Sequence, residues 1–159
     1  MNSFDDAPID AKDADLVAPS FAVLISKGNC WKCGQTTPMA TIWVPSYTEI
    51  DHEEGEHEAC ADAALLHYVE RMTASVGKQV DKLAPWLRYA HTETYGAAYL
   101  ANHCEQCGVV QGDWFVFGTD GPFFPQTAEA REKIKLIPGE GEFHGRAQPS
   151  ISAWVNAVG

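Results

Sequence analysis

Asn29-Cys30-Trp31-Lys32-Cys33-Gly34 and Asn102-His103-Cys104-Glu105-Gln106-Cys107-Gly108 are the two stretches that decide how this chain reads. Each is a C-x-x-C pair followed at once by glycine. A two-residue spacer lets both sulfurs of a pair face one ion from a tight turn. Glycine after the second cysteine permits a left-handed backbone, which turns amides toward the sulfurs. Four thiolates at about 2.3 Å in a tetrahedron suit Zn²⁺, and four protein ligands leave no open position for a reacting water. The expectation is one structural zinc per chain, held by Cys30, Cys33, Cys104 and Cys107. Iron in a rubredoxin-like site is the main metal alternative, since tetrahedral thiolate geometry suits either ion. Disulfides, a redox motif or unliganded pairs are the weaker readings: a cytosolic chain disfavours disulfides, and neither pair opens a helix within a βαβ pattern as a thioredoxin-type pair does.

Seventy residues separate Cys33 from Cys104, far more than in a compact zinc ribbon. Strands enter or leave both knuckles on the hydrophobic pattern: residues 21–26 and 39–44 around the first, 86–92 and 97–103 before the second, and 114–117 after it. Two knuckles carried by adjacent hairpins can then meet while the intervening chain bulges out. That chain reads as an acidic loop followed by a helix. Leu65, Val69, Met72, Val76 and Val80 or Leu83 recur at spacings of three to four, placing them on one helical face. A second, short helix is expected from an N-cap at Thr127, with Glu129 in its first turn. Residues 138–149 read as loop, and 151–158 as a strand or short helix. The expected fold is therefore α+β: a split zinc-ribbon-like antiparallel sheet with one main helix inserted between the knuckles. Residues 1–20 form a flexible acidic tail on this reading, and 21–159 a single domain.

The two cysteine motifs, with Gln111-Gly112-Asp113 after the second, resemble small, mostly uncharacterised bacterial zinc-ribbon-like proteins. The resemblance implies a split four-cysteine zinc site in a β-rich module, and no reaction.

Charge narrows the function classes. Eleven Lys and Arg oppose 22 Asp and Glu, a net charge of −11. A grip on DNA or RNA that neutralises phosphates needs the opposite balance. The acidity is local. Residues 1–15 carry a net −4 and residues 49–62 a net −7, and the remaining chain is neutral. Glu49, Asp51, Glu53, Glu54, Glu56, Glu58 and Asp62 supply the second block with no intervening base. Such a block is either a solvated segment or a docking surface for a basic partner. Trp31, between two ligand cysteines, belongs at a surface tip, where tryptophan serves as an interface anchor or stacks on a base; so little positive charge favours the protein interface.

Weaker sites need their plain alternatives beside them. His52, His57 and Cys60 have metal-capable spacing, with His57 and Cys60 one helical turn apart; a solvated loop with a packed cysteine is the simpler reading. His103 adjoins Cys104 and is placed either to orient the knuckle or to face solvent. No nucleophile elbow, P-loop or dinucleotide fingerprint occurs. The N-terminal stretch has no basic, then apolar, signal-peptide pattern, and no apolar run is long enough to cross a bilayer, so the expected setting is cytoplasmic. The favoured function is a non-enzymatic, zinc-stabilised protein that offers an acidic surface to a basic protein partner, as inhibitors and immunity proteins of bacterial toxins do. The alternatives are a nucleic-acid-associated ribbon subunit using Lys27, Lys32 and Arg88, and, less favoured, a thiol-redox or metal-dependent enzyme.

Overall fold

The computed structural model describes residues 8–93 and 95–158. Eleven strands and four α-helices follow in chain order. They are β1 (Leu16–Ala18), β2 (Ala22–Asn29), β3 (Thr36–Val44), β4 (Tyr47–Asp51), β5 (Glu56–Cys60), β6 (Ala64–Met72), α1 (Ala74–Leu83), β7 (Leu87–His91), β8 (Ala98–His103) and β9 (Val110–Gln111). Then come α2 (Asp113–Phe117), α3 (Ala128–Glu132), β10 (Lys135–Pro138), β11 (Phe143–Ser150) and α4 (Ala153–Val158). Eight strands form one antiparallel sheet in the order β10-β2-β3-β6-β11-β1-β4-β5, and β7-β8-β9 form a second. No helix is long and apolar enough to cross a membrane among the described residues.

The molecule is therefore a mostly antiparallel β protein with short helices, and the expectation of a zinc ribbon with one main inserted helix is overturned. The error sits in residues 64–72. They are not the first half of a helix but β6, deep inside the large sheet between β3 and β11. Two physical facts disguise this strand. Both faces of the sheet are covered, so Leu65 and Leu66 are both buried, on opposite sides, and simple alternation is lost. A bulge then shifts the period. Residues 67 and 71 of β6 lie opposite residues 148 and 146 of β11, leaving extra residues on β6, and Tyr68 takes φ of 48° within it. Leu65, Val69 and Met72 thus fall at spacings that imitate a helix. The true helix α1 begins only at Ala74 and packs Val76 and Val80 into the core.

Double coverage explains the apolar pairs elsewhere. Val23, Ile42, Leu66 and Phe143 face a core completed by α1, β7 and β8, whereas Leu24, Met39 and Leu65 face a second core under Val116, Phe123 and Val155. Other segments also depart from expectation. Residues 114–117 belong to helix α2, not a strand, and the region taken as loop contains most of β11. Leu16–Ala18, within the stretch read as a flexible tail, is a strand between β11 and β4, with Leu16 and Ala18 fully buried. Residues 1–7, including Asp5 and Asp6 of that acidic tail, lie outside the described residues. The acidic segment is no loop: it is the β4–β5 hairpin at the sheet's edge. The short helix capped by Thr127 forms as expected, the Thr127 side chain accepting a hydrogen bond from the Ala130 N–H.

Candidate metal centre

The first knuckle is the turn between β2 and β3, and the second is the turn between β8 and β9. Their backbones repeat each other. Cys30 N–H donates to Gln35 O (2.9 Å) and Gly34 N–H to Cys30 O (3.0 Å). Cys104 N–H donates to Val109 O (2.9 Å) and Gly108 N–H to Cys104 O (2.8 Å). Gly34 and Gly108 sit at φ of 75° and 80°, the left-handed conformation that a side chain disfavours. The C-x-x-C-G signature is thus a local backbone instruction, carried out twice.

The four sulfurs lie within 4.8 Å of one another. Cys30 Sγ is 3.6 Å from Cys107 Sγ, and Cys33 Sγ is 3.7 Å from Cys104 Sγ. These separations are far too long for disulfide bonds, at about 2.05 Å. They match the edge of a tetrahedron of thiolates about 2.3 Å from a shared centre, which is about 3.8 Å. Cys30 and Cys104 are buried, Cys33 and Cys107 exposed. Lys32 N–H and Cys33 N–H point at Cys30 Sγ (3.4 and 3.5 Å), and Gln106 N–H at Cys104 Sγ (3.3 Å). Burial acts to raise the Cys30 thiol pKa, but these N–H groups and the Gln111 amide outweigh it and hold it at about 6. Cys104 is likewise lowered, chiefly by the Cys107 N–H. At Cys33 a hydrogen bond from the Gln35 N–H works downward, but desolvation and the surrounding sulfurs push the thiol up to about 11. Four sulfurs so close do not all ionise without a cation among them. The donor set and its geometry fit a metal ion.

What brings the knuckles together is a set of polar clasps. Asn102 is buried in β8 and makes two bonds to one residue of β3: Ala40 N–H to Asn102 Oδ1 (2.8 Å) and Asn102 Nδ2 to Ala40 O (2.9 Å). This pair ties the small sheet to the large one. Glu105 N–H, in the second knuckle, donates to the buried Thr37 hydroxyl of β3 (3.0 Å). The Trp31 indole N–H donates to Val110 O (2.8 Å), and its ring stacks on Phe115 at 6.1 Å. Trp31 is half exposed, as its place at a tip requires, but it also belongs to the join between knuckles. Asn102 and Gln111 carried no role in the sequence reading; a polar residue flanking each side of a C-x-x-C-G turn was the signal available. His103 turns its ring to the carbonyls of Ala101 and Trp86, not to the sulfurs.

The weaker metal set is not assembled. His57 and Cys60 lie three residues apart on strand β5, so they point to opposite faces. His52 is in the hairpin turn, its Nε2 against Ala14 O (2.8 Å). Among the described residues the four-cysteine group is the one cluster with metal-binding proximity. Lys27, Lys32 and Arg88 are exposed, on β2, the first knuckle and β7.

The acidic hairpin has its own geometry. Glu49 lies opposite Glu58, and Asp51 opposite Glu56, so four carboxylates share one face. Like charges directly opposite across strands are destabilising. Asp51 also accepts the turn N–H groups of Glu53 and Glu54 (3.0 and 3.2 Å). Glu49, Asp51, Glu53, Glu56 and Glu58 line an open groove of about 1040 Å³, with Asp15, Glu70 and one cation, Arg146. Among the described residues none of the hairpin carboxylates forms an ion pair. Glu54 and Asp62 are exposed and do not line this groove. The chain was compared with protein families, curated proteins and solved structures, and it matches none of them.

Proposed function

We propose that this chain is a non-enzymatic, zinc-stabilised binding protein that presents the β4–β5 hairpin to a basic protein partner. The observation that carries the reading is the ladder of facing carboxylates, Glu49 with Glu58 and Asp51 with Glu56, which form no ion pair among the described residues at the sheet edge. A fold that keeps such pairs gives up stability at that edge, and a basic partner returns it on binding. Complementary charge also speeds encounter and makes it salt-sensitive. An inhibitor or immunity protein is the form this takes when the partner's basic site normally holds phosphate.

Zinc is the proposed ion, one per chain, because four thiolates close the shell and give the metal a structural role. The test of the whole reading uses the full chain as bait in an extract of its native host, identified by mass spectrometry. Wild type should retain a basic protein that is lost at high salt and lost with Glu49→Gln, Asp51→Asn, Glu56→Gln and Glu58→Gln combined. A retained set unchanged by salt and by these substitutions would contradict it.

A further inference from the structure

Gln111 is one of the few buried polar side chains, only 2% exposed, and both ends of its amide are engaged. Its Nε2 donates to Cys30 Sγ (3.2 Å) and to Val109 O (3.2 Å). Its Oε1 accepts the Trp31 N–H (3.4 Å). One side chain therefore joins a candidate ligand sulfur of the first knuckle to the backbone of the second. Cys104, the equivalent cysteine, receives its N–H bonds from main chain. The two half-sites are alike in backbone and differ in this one amide.

Trp31 follows Cys30 directly and is held at two points, both on the strand that carries Gln111: the N–H at Gln111 Oε1 and the indole N–H at Val110 O. Two residues beyond Gln111, α2 begins, bringing Phe115 under the Trp31 ring and leaving Trp114 72% exposed. The Trp31–Phe115 stack is thus built half on the first knuckle and half on the helix that follows the second. A metal ion fixes the position of Cys30 Sγ, and so fixes the acceptor of the Gln111 Nε2 bond.

We propose that Gln111 is a positioning residue that couples occupancy of the four-cysteine site to the seating of Trp31 on Phe115, making this aromatic surface metal-dependent. The inference rests on the zinc reading above. With metal bound, Cys30, Gln111 and Trp31 form one locked unit. When the metal leaves, nothing holds the sulfurs at a common centre, Cys30 Sγ shifts away from Gln111 Nε2, and Trp31 loses its register with Val110.

The test follows the Trp31 indole N–H by NMR in the full zinc-loaded chain, its resonance identified by its loss in Trp31→Phe. In wild type this proton should exchange slowly with solvent when zinc is bound, and faster in step with zinc removed by EDTA. Gln111→Met should still bind one zinc, yet exchange its Trp31 indole proton quickly even when loaded. It should also hand its zinc to a chelator about tenfold faster, the lower range for loss of a ligand's hydrogen-bond partner. Gln111→Glu, which keeps the acceptor for Trp31 but loses the donor to Cys30, should release zinc faster than wild type. With Co²⁺ in place of zinc, both variants should shift the sulfur-to-metal charge-transfer bands, which a merely structural residue would leave in place. Unchanged exchange on stripping wild type overturns the inference without any variant, as does wild-type behaviour of loaded Gln111→Met. A wild-type chain that binds no metal overturns the zinc reading as well; a loaded chain whose Trp31 ignores the metal overturns this inference alone.

Discussion

The β2–β3 hairpin and the β4–β5 hairpin belong to the same sheet, but their tips handle charge in opposite ways. At the first tip, sulfurs that would repel as thiolates converge where one metal ion could lie among them, and Asn102, Thr37 and Gln111 hold the opposing turn in place. At the second, carboxylates of like sign face each other in pairs, and among the described residues none of them forms an ion pair. On the proposed reading an ion completes the first tip and a basic partner completes the second.

Metal loss should break the comparison most. Structural zinc is worth about 10–16 kcal/mol of apparent binding energy in finger peptides. Here the sulfurs lie outside the two apolar cores, so Cys30→Ser with Cys104→Ser should abolish zinc binding and free both knuckles while the eight-stranded sheet persists. Hydrogen exchange should show new opening in residues 29–36 and 102–111, and continued protection in β3 and β6. Loss of protection throughout would mean that the metal holds the whole fold.

Removing a clasp is the next largest effect. Asn102→Leu leaves Ala40 N–H and C=O without their partners, at a cost of about 1–3 kcal/mol for each orphaned group. Thermal unfolding should register that loss, together with weaker metal retention. No change in either would remove Asn102 from the account of how the knuckles meet.

At the acidic tip the sign should reverse. Glu58→Lys turns a repulsive cross-strand pair with Glu49 into an attractive one, and should stabilise the fold by up to about 1 kcal/mol while weakening partner capture. Stabilisation with capture intact would place the partner elsewhere.

The smallest effect belongs to Asp15, on the groove wall. Burial raises its pKa above 3.8, against the Ala147 N–H and Arg146, which lower it. The folded state therefore favours the neutral form, so this contribution is greatest below pH 3.8 and declines as pH rises through the folded value. Asp15→Asn, which keeps an oxygen for the Ala147 N–H, should raise stability slightly at pH 7 and not at all below pH 3.8. A pH-independent gain would assign its effect to something other than ionisation.

The same two tips show what the sequence makes legible. A C-x-x-C-G turn is decided within six residues, so the ligand set and its two-hairpin delivery follow from local chemistry. The acidic hairpin is harder to see. Its strands are exposed along most of their length, so charged residues replace the apolar alternation that marks a half-buried strand; a turn at Gly55 (φ 70°) is the remaining local signal. β6 is harder still, because burial on both faces and the bulge at Tyr68 give it a helix-like spacing. Strand β11 hides behind Gly145 and Pro149, although its side chains do alternate once the sheet is known. Sequence reveals what neighbours along the chain decide. Strand partners distant in sequence decide the rest.

The most direct test of the central claim is elemental analysis of freshly purified, reduced full-length chain, with absorbance recorded after Co²⁺ exchange. The account predicts one zinc per chain, a four-thiolate cobalt spectrum, and loss of both in Cys30→Ser with Cys104→Ser. Reduced wild-type protein that carries no metal, and takes up no Co²⁺ on four thiolates, would contradict it.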